Sequence, residues 1–158
     1  LDEISEISAD LQAKLLRVLE EREFERVGGG KPIQVDVRIV ATTNRDLKAE
    51  VQAGRFREDL FYRLNVVPIA LPALRERRED IPAIIQHYHQ RFTRGSGAKG
   101  TLGDDAMAIL VGYTWPGNIR ELVNVVERLV VLHGDELITA ASVRGCLPEA
   151  TGRSAKKS

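Results

Sequence analysis

Residues 33–44 constrain the possible folds more than any other part of the sequence. Four β-branched residues alternate with polar ones: Ile33, Val35, Val37 and Ile39. The alternation is typical of a half-buried strand, and an apolar pair, Val40 and Ala41, continues it, so we predict a strand over residues 33–41. It stops at Thr42, Thr43 and Asn44. Because open α/β sheets bind ligands at the carboxyl ends of their strands, this end is a candidate ligand edge.

The remainder of the first half predicts helices and one more strand. A helix is expected over about residues 9–21, with Ser8 as its cap, because leucines recur there at helical spacing: Leu11, Leu15, Leu16 and Leu19. Further helices are expected after Asp46 and over residues 57–64, and the apolar run 66–71 predicts a buried strand. This half is therefore predicted to be α/β.

After Pro72 the pattern becomes helical throughout. Helices are predicted from Ile81 to about Gly95, over residues 104–111, and from a capping Asn118 to Gly134. The last of these has an apolar stripe formed by Ile119, Leu122, Val125, Val126, Leu129 and Val130. We therefore expect a partial α/β subdomain at residues 1–74, a helical subdomain at 75–147 and a flexible tail at 148–158.

Composition excludes several classes of function. The 158 residues include 23 Lys and Arg against 23 Asp and Glu, so no net charge favours non-specific binding to nucleic acid. Cys146 is the single cysteine, no secretion signal is found, and no apolar run is long enough to span a membrane, so we expect a cytoplasmic protein without a membrane partner. Leu1 is not a methionine and resembles the end of a buried strand, so we expect the chain to be part of a longer protein.

Asp2 and Glu3 are adjacent carboxylates directly after an apolar residue. At a strand end, the first could hold a magnesium ion or its waters and the second could polarise a water for attack on a phosphate. Taken alone, such a pair is more often a solvated surface feature. The wider sequence decides between these alternatives.

Five motifs occur in an order that resembles one known family: LDEISEIS, LLRVLEEREFERVGG, VDVRIVATTN, GRFREDLFYRLNVVPIALPALRERREDI and YTWPGNIRELVNVVERLVVL. Together they are similar to the sigma-54-interacting AAA+ ATPases, bacterial enhancer-binding transcription activators of the nitrogen-regulation type. The resemblance covers nearly the whole chain. It implies the carboxyl-terminal part of an AAA+ P-loop-type α/β subdomain, followed by a small α-helical lid.

The resemblance also implies roles for the candidate ligand edge. LDEIS looks like the end of a Walker B strand, so Asp2 would be the magnesium-associated carboxylate and Glu3 the water-polarising one. Asn44 matches the sensor I position, where its amide could donate to a γ-phosphate and accept from the attacking water. The alternative for Asn44 is an ordinary turn residue at a strand end.

Three arginines match further motifs of the family. Arg57 and Arg63 match the arginine fingers that reach a neighbouring subunit's nucleotide, and their six-residue spacing places them on different helix faces. Their alternative is surface ion pairing with Glu58 or Asp59. Arg120 in GNIRE matches sensor II, the lid arginine that contacts the nucleotide of its own subunit.

By the same resemblance, ATP and Mg²⁺ are the expected cofactors. The complete protein is expected to form a ring, a hexamer, that acts on sigma-54 RNA polymerase, with DNA bound through a domain not present here. The 158 residues contain neither a Walker A loop, G-x-x-x-x-G-K-[ST], nor the family's GAFTGA loop, so we expect no ATP hydrolysis by this chain alone. Two hypotheses remain: part of an ATP-hydrolysing activator, or a non-catalytic interaction module that assembles with complete subunits.

Overall fold

The computed structural model describes residues 1–26, 28–97 and 99–148. The chain divides into two compact units, Leu1–Ala70 and a second that begins at Leu71. The predicted flexible tail lies outside the described residues from residue 149 onward.

The described residues of the first unit form three α-helices, one 3-10 turn and one hairpin. A short 3-10 turn, Ile4–Glu6, precedes α1, Ala9–Glu21. The antiparallel strands β1, Glu23–Glu25, and β2, Pro32–Gln34, follow, then α2, Leu47–Gln52, and α3, Glu58–Leu64. The core beneath them contains Ile4, Phe56, Leu60 and Phe61.

Helix α1 confirms its predicted bounds but not its predicted buried face. The Ser8 hydroxyl accepts a hydrogen bond from the Leu11 amide at 3.5 Å, as expected of a cap. Leu11 itself is 52% exposed, whereas Gln12 is 1% exposed. The face toward the core therefore begins at Gln12 and continues through Leu15, Leu16 and Leu19, which have the same i, i+3, i+4, i+7 spacing.

Two predicted strands are wrong in this structure. Strand β2 ends at Gln34, and residues 35–41 form no strand. Residues 66–71 are also irregular, and their apolar side chains are between 75% and 85% exposed: Val66, Val67, Ile69 and Leu71. A buried strand requires neighbours for its backbone groups and for both of its faces. The one sheet among the described residues is the β1–β2 hairpin, and neither segment extends it as a strand, so the apolar pattern alone does not produce a sheet.

The second unit is helical, as predicted. Two 3-10 turns, Leu74–Glu76 and Arg78–Asp80, lead into α4, Ile81–Ser96, and α5, Asp104–Gly112. Helix α6, Asn118–His133, and the additional helix α7, Ala140–Cys146, complete it. In the part of the chain that the structure describes, no helix is long and apolar enough to cross a membrane.

Trp115 lies at the centre of the second core and is fully buried. Its indole N–H donates to the Leu110 carbonyl at 2.8 Å, which satisfies the one polar group of the ring. Apolar residues of all four helices surround it, among them Ile81, Ile85, Ala106, Leu122, Val126 and Val143. Cys146 is a free thiol in the same core.

The start of α6 corrects two predictions. Asn118 does not cap the helix: its φ is 52°, and its side-chain oxygen accepts from the Leu74 amide at 2.9 Å. At the preceding position, the Gly117 amide donates to the Glu121 carboxylate at 2.8 Å. Ile119 is 37% exposed, so the buried stripe begins at Leu122 instead. The Asn118 side chain therefore holds the segment that precedes α4 and does not cap α6, the helix that begins at Asn118.

Candidate functional site

Two segments distant in sequence run side by side at the candidate ligand edge. The Leu1 amino group donates to the Val40 carbonyl at 2.8 Å, and the Leu1 carbonyl accepts from the Thr42 amide at 2.9 Å. This is the bonding pattern of a parallel pair centred on Leu1 and Ala41. It places the carboxylates that follow Leu1 beside the polar residues that follow Ala41.

Two threonines hold the edge together. The Thr42 hydroxyl donates to Oδ1 of Asp2, and the Thr42 carbonyl accepts from the Ile4 amide at 2.9 Å. The Thr43 hydroxyl bonds to the buried Ser5 hydroxyl at 2.9 Å. The two side chains therefore fix Asp2 and the turn after Glu3, a role that the sequence pattern did not assign to them.

Glu3 has an unusual backbone and an unsatisfied carboxylate. Its φ of 51° and ψ of 48° lie in the left-handed region, which is uncommon for a residue with a Cβ. The Asn44 amide nitrogen is 3.5 Å from Oε1, a long hydrogen bond that brings two predicted site residues together. Oε2 is buried and has no hydrogen-bond partner among the described residues. A buried carboxylate oxygen without a donor is costly, so this atom is suited to accept from a bound water or ligand.

A chain of ion pairs begins next to Asn44. Arg45 bonds to Glu6 at 3.1 Å and lies 3.9 Å from Glu50. Glu50 is buried and accepts two hydrogen bonds from Arg55, at 2.7 and 2.8 Å. The hydrogen bond from Arg55 lowers the pKa of Glu50 despite its burial. The pairs fix the backbone at Arg55, two residues before the first candidate arginine finger.

Gln12 also holds the loop that contains Arg55. Its amide nitrogen donates to the carbonyls of Ile7, at 3.1 Å, and Arg55, at 3.0 Å. Its amide oxygen accepts from the Arg57 backbone N–H at 2.9 Å. Sequence reasoning missed this residue, because a glutamine in an amphipathic helix usually lies on the exposed face. The sequence feature that could have identified Gln12 as buried is its position on the same helix face as Leu15, Leu16 and Leu19.

The two candidate arginine fingers have different partners. Arg57 precedes α3 and forms a bidentate pair with Asp59, at 3.0 and 2.7 Å, which lowers the pKa of that carboxyl. This pair matches the alternative considered from the sequence, in which Arg57 forms a surface ion pair with Glu58 or Asp59. Arg63 donates to the Leu19 carbonyl in the last turn of α1 at 3.2 Å. Neither guanidinium forms a hydrogen bond or ion pair with the carboxylates of Asp2 and Glu3 in the described part of the chain.

Arg120 belongs to the second unit and lies in the first turn of α6, as predicted. Its side chain is exposed and makes no hydrogen bond or ion pair with any described residue. A cation in this turn is mildly disfavoured by the helix dipole. Within residues 1–26, 28–97 and 99–148, no three side chains of the His, Cys, Asp and Glu types cluster as a complete metal site.

Comparison with known proteins identifies relatives of both units. The family described as the sigma-54 interaction domain matches residues 1–70, and the AAA+ ATPase lid domain family matches residues 75–158. The regulatory protein AtoC of Escherichia coli K12 is 55% identical over 140 residues, which are 87% of this chain and 30% of AtoC. The transcriptional regulatory protein ZraR of the same strain is 56% identical over 140 residues, 88% of this chain and 32% of ZraR.

A solved structure is also similar along almost the whole chain. NtrX from Brucella abortus in complex with ADP has a TM-score of 0.83 at 45% identity, and the match covers 98% of this chain and 37% of NtrX. NtrX has also been solved in complex with ATP. This chain thus spans about a third of the length of these relatives. The predicted fold class, part of an α/β subdomain followed by a helical lid, is confirmed.

Proposed function

Because the chain belongs to the family of sigma-54 interaction domains with an AAA+ ATPase lid, we propose that it is part of an ATP-hydrolysing activator of sigma-54 RNA polymerase. The relatives are several times longer than the match, so the activity belongs to the complete protein. The complexes of NtrX with ATP and with ADP support nucleotide binding by the complete protein.

The buried, unpartnered Oε2 of Glu3 carries this proposal. A carboxylate held there by a left-handed backbone, with its other oxygen near Asn44, is arranged to accept a proton from an attacking water. Asn44 would orient the same water and the γ-phosphate with its amide. Asp2, fixed by Thr42, would hold Mg²⁺ together with water and phosphate oxygens, and the ion would neutralise charge on the phosphates.

We assign the arginines of the first unit to a neighbouring subunit's nucleotide. Arg57 and Arg63 bond within their own subunit to Asp59 and to a backbone carbonyl, and both side chains are exposed. An exposed ion pair contributes little, so a phosphate could replace Asp59 as the partner of Arg57 at small cost. Such an exchange requires a ring, which we propose to be a hexamer. The exposed Arg120 would contact the nucleotide of its own subunit.

The partners follow from the same family. Sigma-54 RNA polymerase is the proposed target, DNA would be bound by another domain, and the protein would act in the cytoplasm with this polymerase. The 158 residues carry no Walker A loop, so a segment containing one must complete the nucleotide site. If no such segment is joined to this chain, the second hypothesis, a non-catalytic module within rings of complete subunits, takes its place.

A subunit-mixing experiment tests the proposal in the protein with its complete ATPase domain. Glu3→Ala and Arg57→Ala should each reduce hydrolysis strongly, the second by on the order of 10³ to 10⁵. Mixing the two should restore activity at interfaces where intact carboxylates meet an intact arginine. The test requires that both parents fold, bind ATP and assemble with one another. If their mixture is then as inactive as each parent, a role for Arg57 across the interface is contradicted.

The matched control is Arg17→Ala. Arg17 pairs with Glu21 at 2.7 Å on α1, the same distance as Arg57 to Asp59, and it is similarly exposed. Its loss removes a surface ion pair worth about 0 to 1 kcal/mol and should leave turnover unchanged. The difference between the two substitutions separates a catalytic arginine from a surface pair.

A further inference from the structure

The geometry points to Gln12 as the positioning residue of Arg57, and we propose this role on the basis of the proposed function. Gln12 is 1% exposed and lies in the first turns of α1, the helix that follows Asp2 and Glu3. Its oxygen holds the backbone N–H of Arg57 at 2.9 Å. The side chain of Gln12 contacts no candidate site side chain by hydrogen bonding, so it would act only through the backbone of Arg57.

The three hydrogen bonds of the Gln12 side-chain amide connect the loop of residues 55–57 with Ile7. Two of them bind Arg55 and Arg57, on either side of the buried Phe56, and the third binds the Ile7 carbonyl. Phe56 is 3% exposed, so its apolar side chain and the Gln12 amide both anchor the loop, together with the hydrogen bonds of the Arg55 and Phe56 amides to the Glu50 carbonyl. Arg57 has extended dihedrals, φ −72° and ψ 134°, immediately before α3. The orientation of its backbone N–H therefore sets the direction in which its guanidinium leaves the loop.

An apolar residue of similar size could not replace this amide. It would fill the space but leave the Arg55 carbonyl and the Arg57 N–H without partners, and buried polar groups without partners are costly. The loop would then turn these groups toward water. Glu50 also holds Arg55 through its side chain, at 2.7 and 2.8 Å, and holds the Phe56 amide through its carbonyl, at 3.2 Å, so the movement would fall mainly at Arg57. The expected result is a folded subunit with a misdirected arginine.

Gln12→Met, in the protein with its complete ATPase domain, tests the proposal. We expect kcat to fall on the order of 10²-fold, the cost of displacing a catalytic group by about 1 Å, with ATP affinity nearly unchanged. Gln86→Met on α4 is the matched control, since Gln86 is exposed, and it should leave kcat unchanged. If Gln12→Met retains full kcat while Arg57→Ala is inactive, this inference is overturned and the proposed function is not. If Arg57→Ala retains full turnover, the proposed function itself is contradicted.

Subunit mixing distinguishes positioning of the arginine from a general structural role. A Gln12→Met subunit mixed with Glu3→Ala should regain activity, because the first keeps its carboxylates and the second keeps its arginine. Mixed with Arg57→Ala, it should not, because both subunits then lack a properly directed arginine. Equal recovery in the two mixtures would overturn the inference.

A second variant covers the case in which Gln12→Met does not fold. Gln12→Asn keeps both the oxygen and the N–H donors of the amide on a side chain shorter by one methylene, so we expect it to retain more activity than Gln12→Met and the same mixing behaviour. If both variants unfold, the inference is overturned, because the amide would then stabilise the whole unit rather than direct one arginine.

Discussion

Glu50 shows how a single buried charge contributes to the first unit. It accepts two hydrogen bonds from Arg55, and these bonds lower its pKa below the ordinary value. A carboxylate with a folded-state pKa below its unfolded-state pKa stabilises the fold above the ordinary glutamate range, about pH 4.3, and this stabilisation is lost as the pH falls through the folded value. We therefore expect the urea midpoint of the first unit to fall on acidification. Glu50→Gln should lower the midpoint at pH 7 and weaken its dependence on pH below 5.

The matched control is Glu20→Gln on α1, where the carboxylate is exposed. The urea midpoint of the Glu20→Gln variant should follow that of the unsubstituted chain across the same pH range. Fluorescence cannot isolate the first unit, because Trp115 is the single tryptophan and lies in the second, so amide exchange of α3 is the better measurement. An unchanged pH dependence in Glu50→Gln would contradict the assigned role of the Arg55 pair.

Individual residues of the site were predictable to different degrees. Asp2, Glu3 and Asn44 were singled out because they follow apolar residues and match motifs of the family that the sequence resembles, and the structure brings Glu3 and Asn44 within 3.5 Å. Thr42 and Gln12 were missed because their roles depend on partners about 40 residues away in the chain: Asp2 for Thr42, and Arg55 and Arg57 for Gln12. Local spacing carries no information about such partners.

At the scale of elements, helices were predicted well and strands were not. The bounds of α1 follow from its Ser8 cap and its apolar periodicity, and those of α4 to α6 from apolar periodicity, because a helix satisfies its own backbone hydrogen bonds. The segments 35–41 and 66–71 have the apolar pattern of strands, but among the described residues neither belongs to a sheet, and the first is paired only at its ends, with Arg22 and with Leu1. A strand is a property of the sheet around it, and the sequence of one segment cannot supply that sheet.

This difference predicts unequal protection from hydrogen exchange. Amides in the centre of α6 lie behind a core that includes Leu122, Val126 and Leu129, all fully buried. By contrast, among the described residues Val35 is the one amide of residues 35–41 that donates to a backbone carbonyl, that of Arg22 at 2.8 Å. We expect exchange in this segment to be much faster than in α6, since exposed and unpaired amides open at almost no cost. Equal or stronger protection at residues 35–41 would contradict this expectation.

At the scale of the whole molecule, the candidate site residues are shared between two units with separate cores. Asp2, Glu3, Asn44 and the two arginine fingers belong to the first, and Arg120 belongs to the second. Among the described residues the first core is the smaller, with four buried apolar residues against thirteen in the second. The unit that carries most of the proposed chemistry therefore has less apolar packing to hold its geometry. The buried polar contacts of Gln12 and Glu50 therefore contribute a larger share of the interactions that hold this geometry.

The last prediction concerns nucleotide binding by these 158 residues alone. Phosphates are bound by a nest of backbone N–H groups at a helix N-terminus, assisted by a lysine. The nearest string, GGGKP at residues 28–32, follows Lys31 with a proline and leads into β2 instead of a helix. We therefore expect calorimetric titration with MgATP to detect no tight binding, and the purified chain to show no hydrolysis. Magnesium-dependent turnover that Glu3→Ala abolishes would contradict this prediction, whereas turnover that survives Glu3→Ala would indicate a contaminating ATPase.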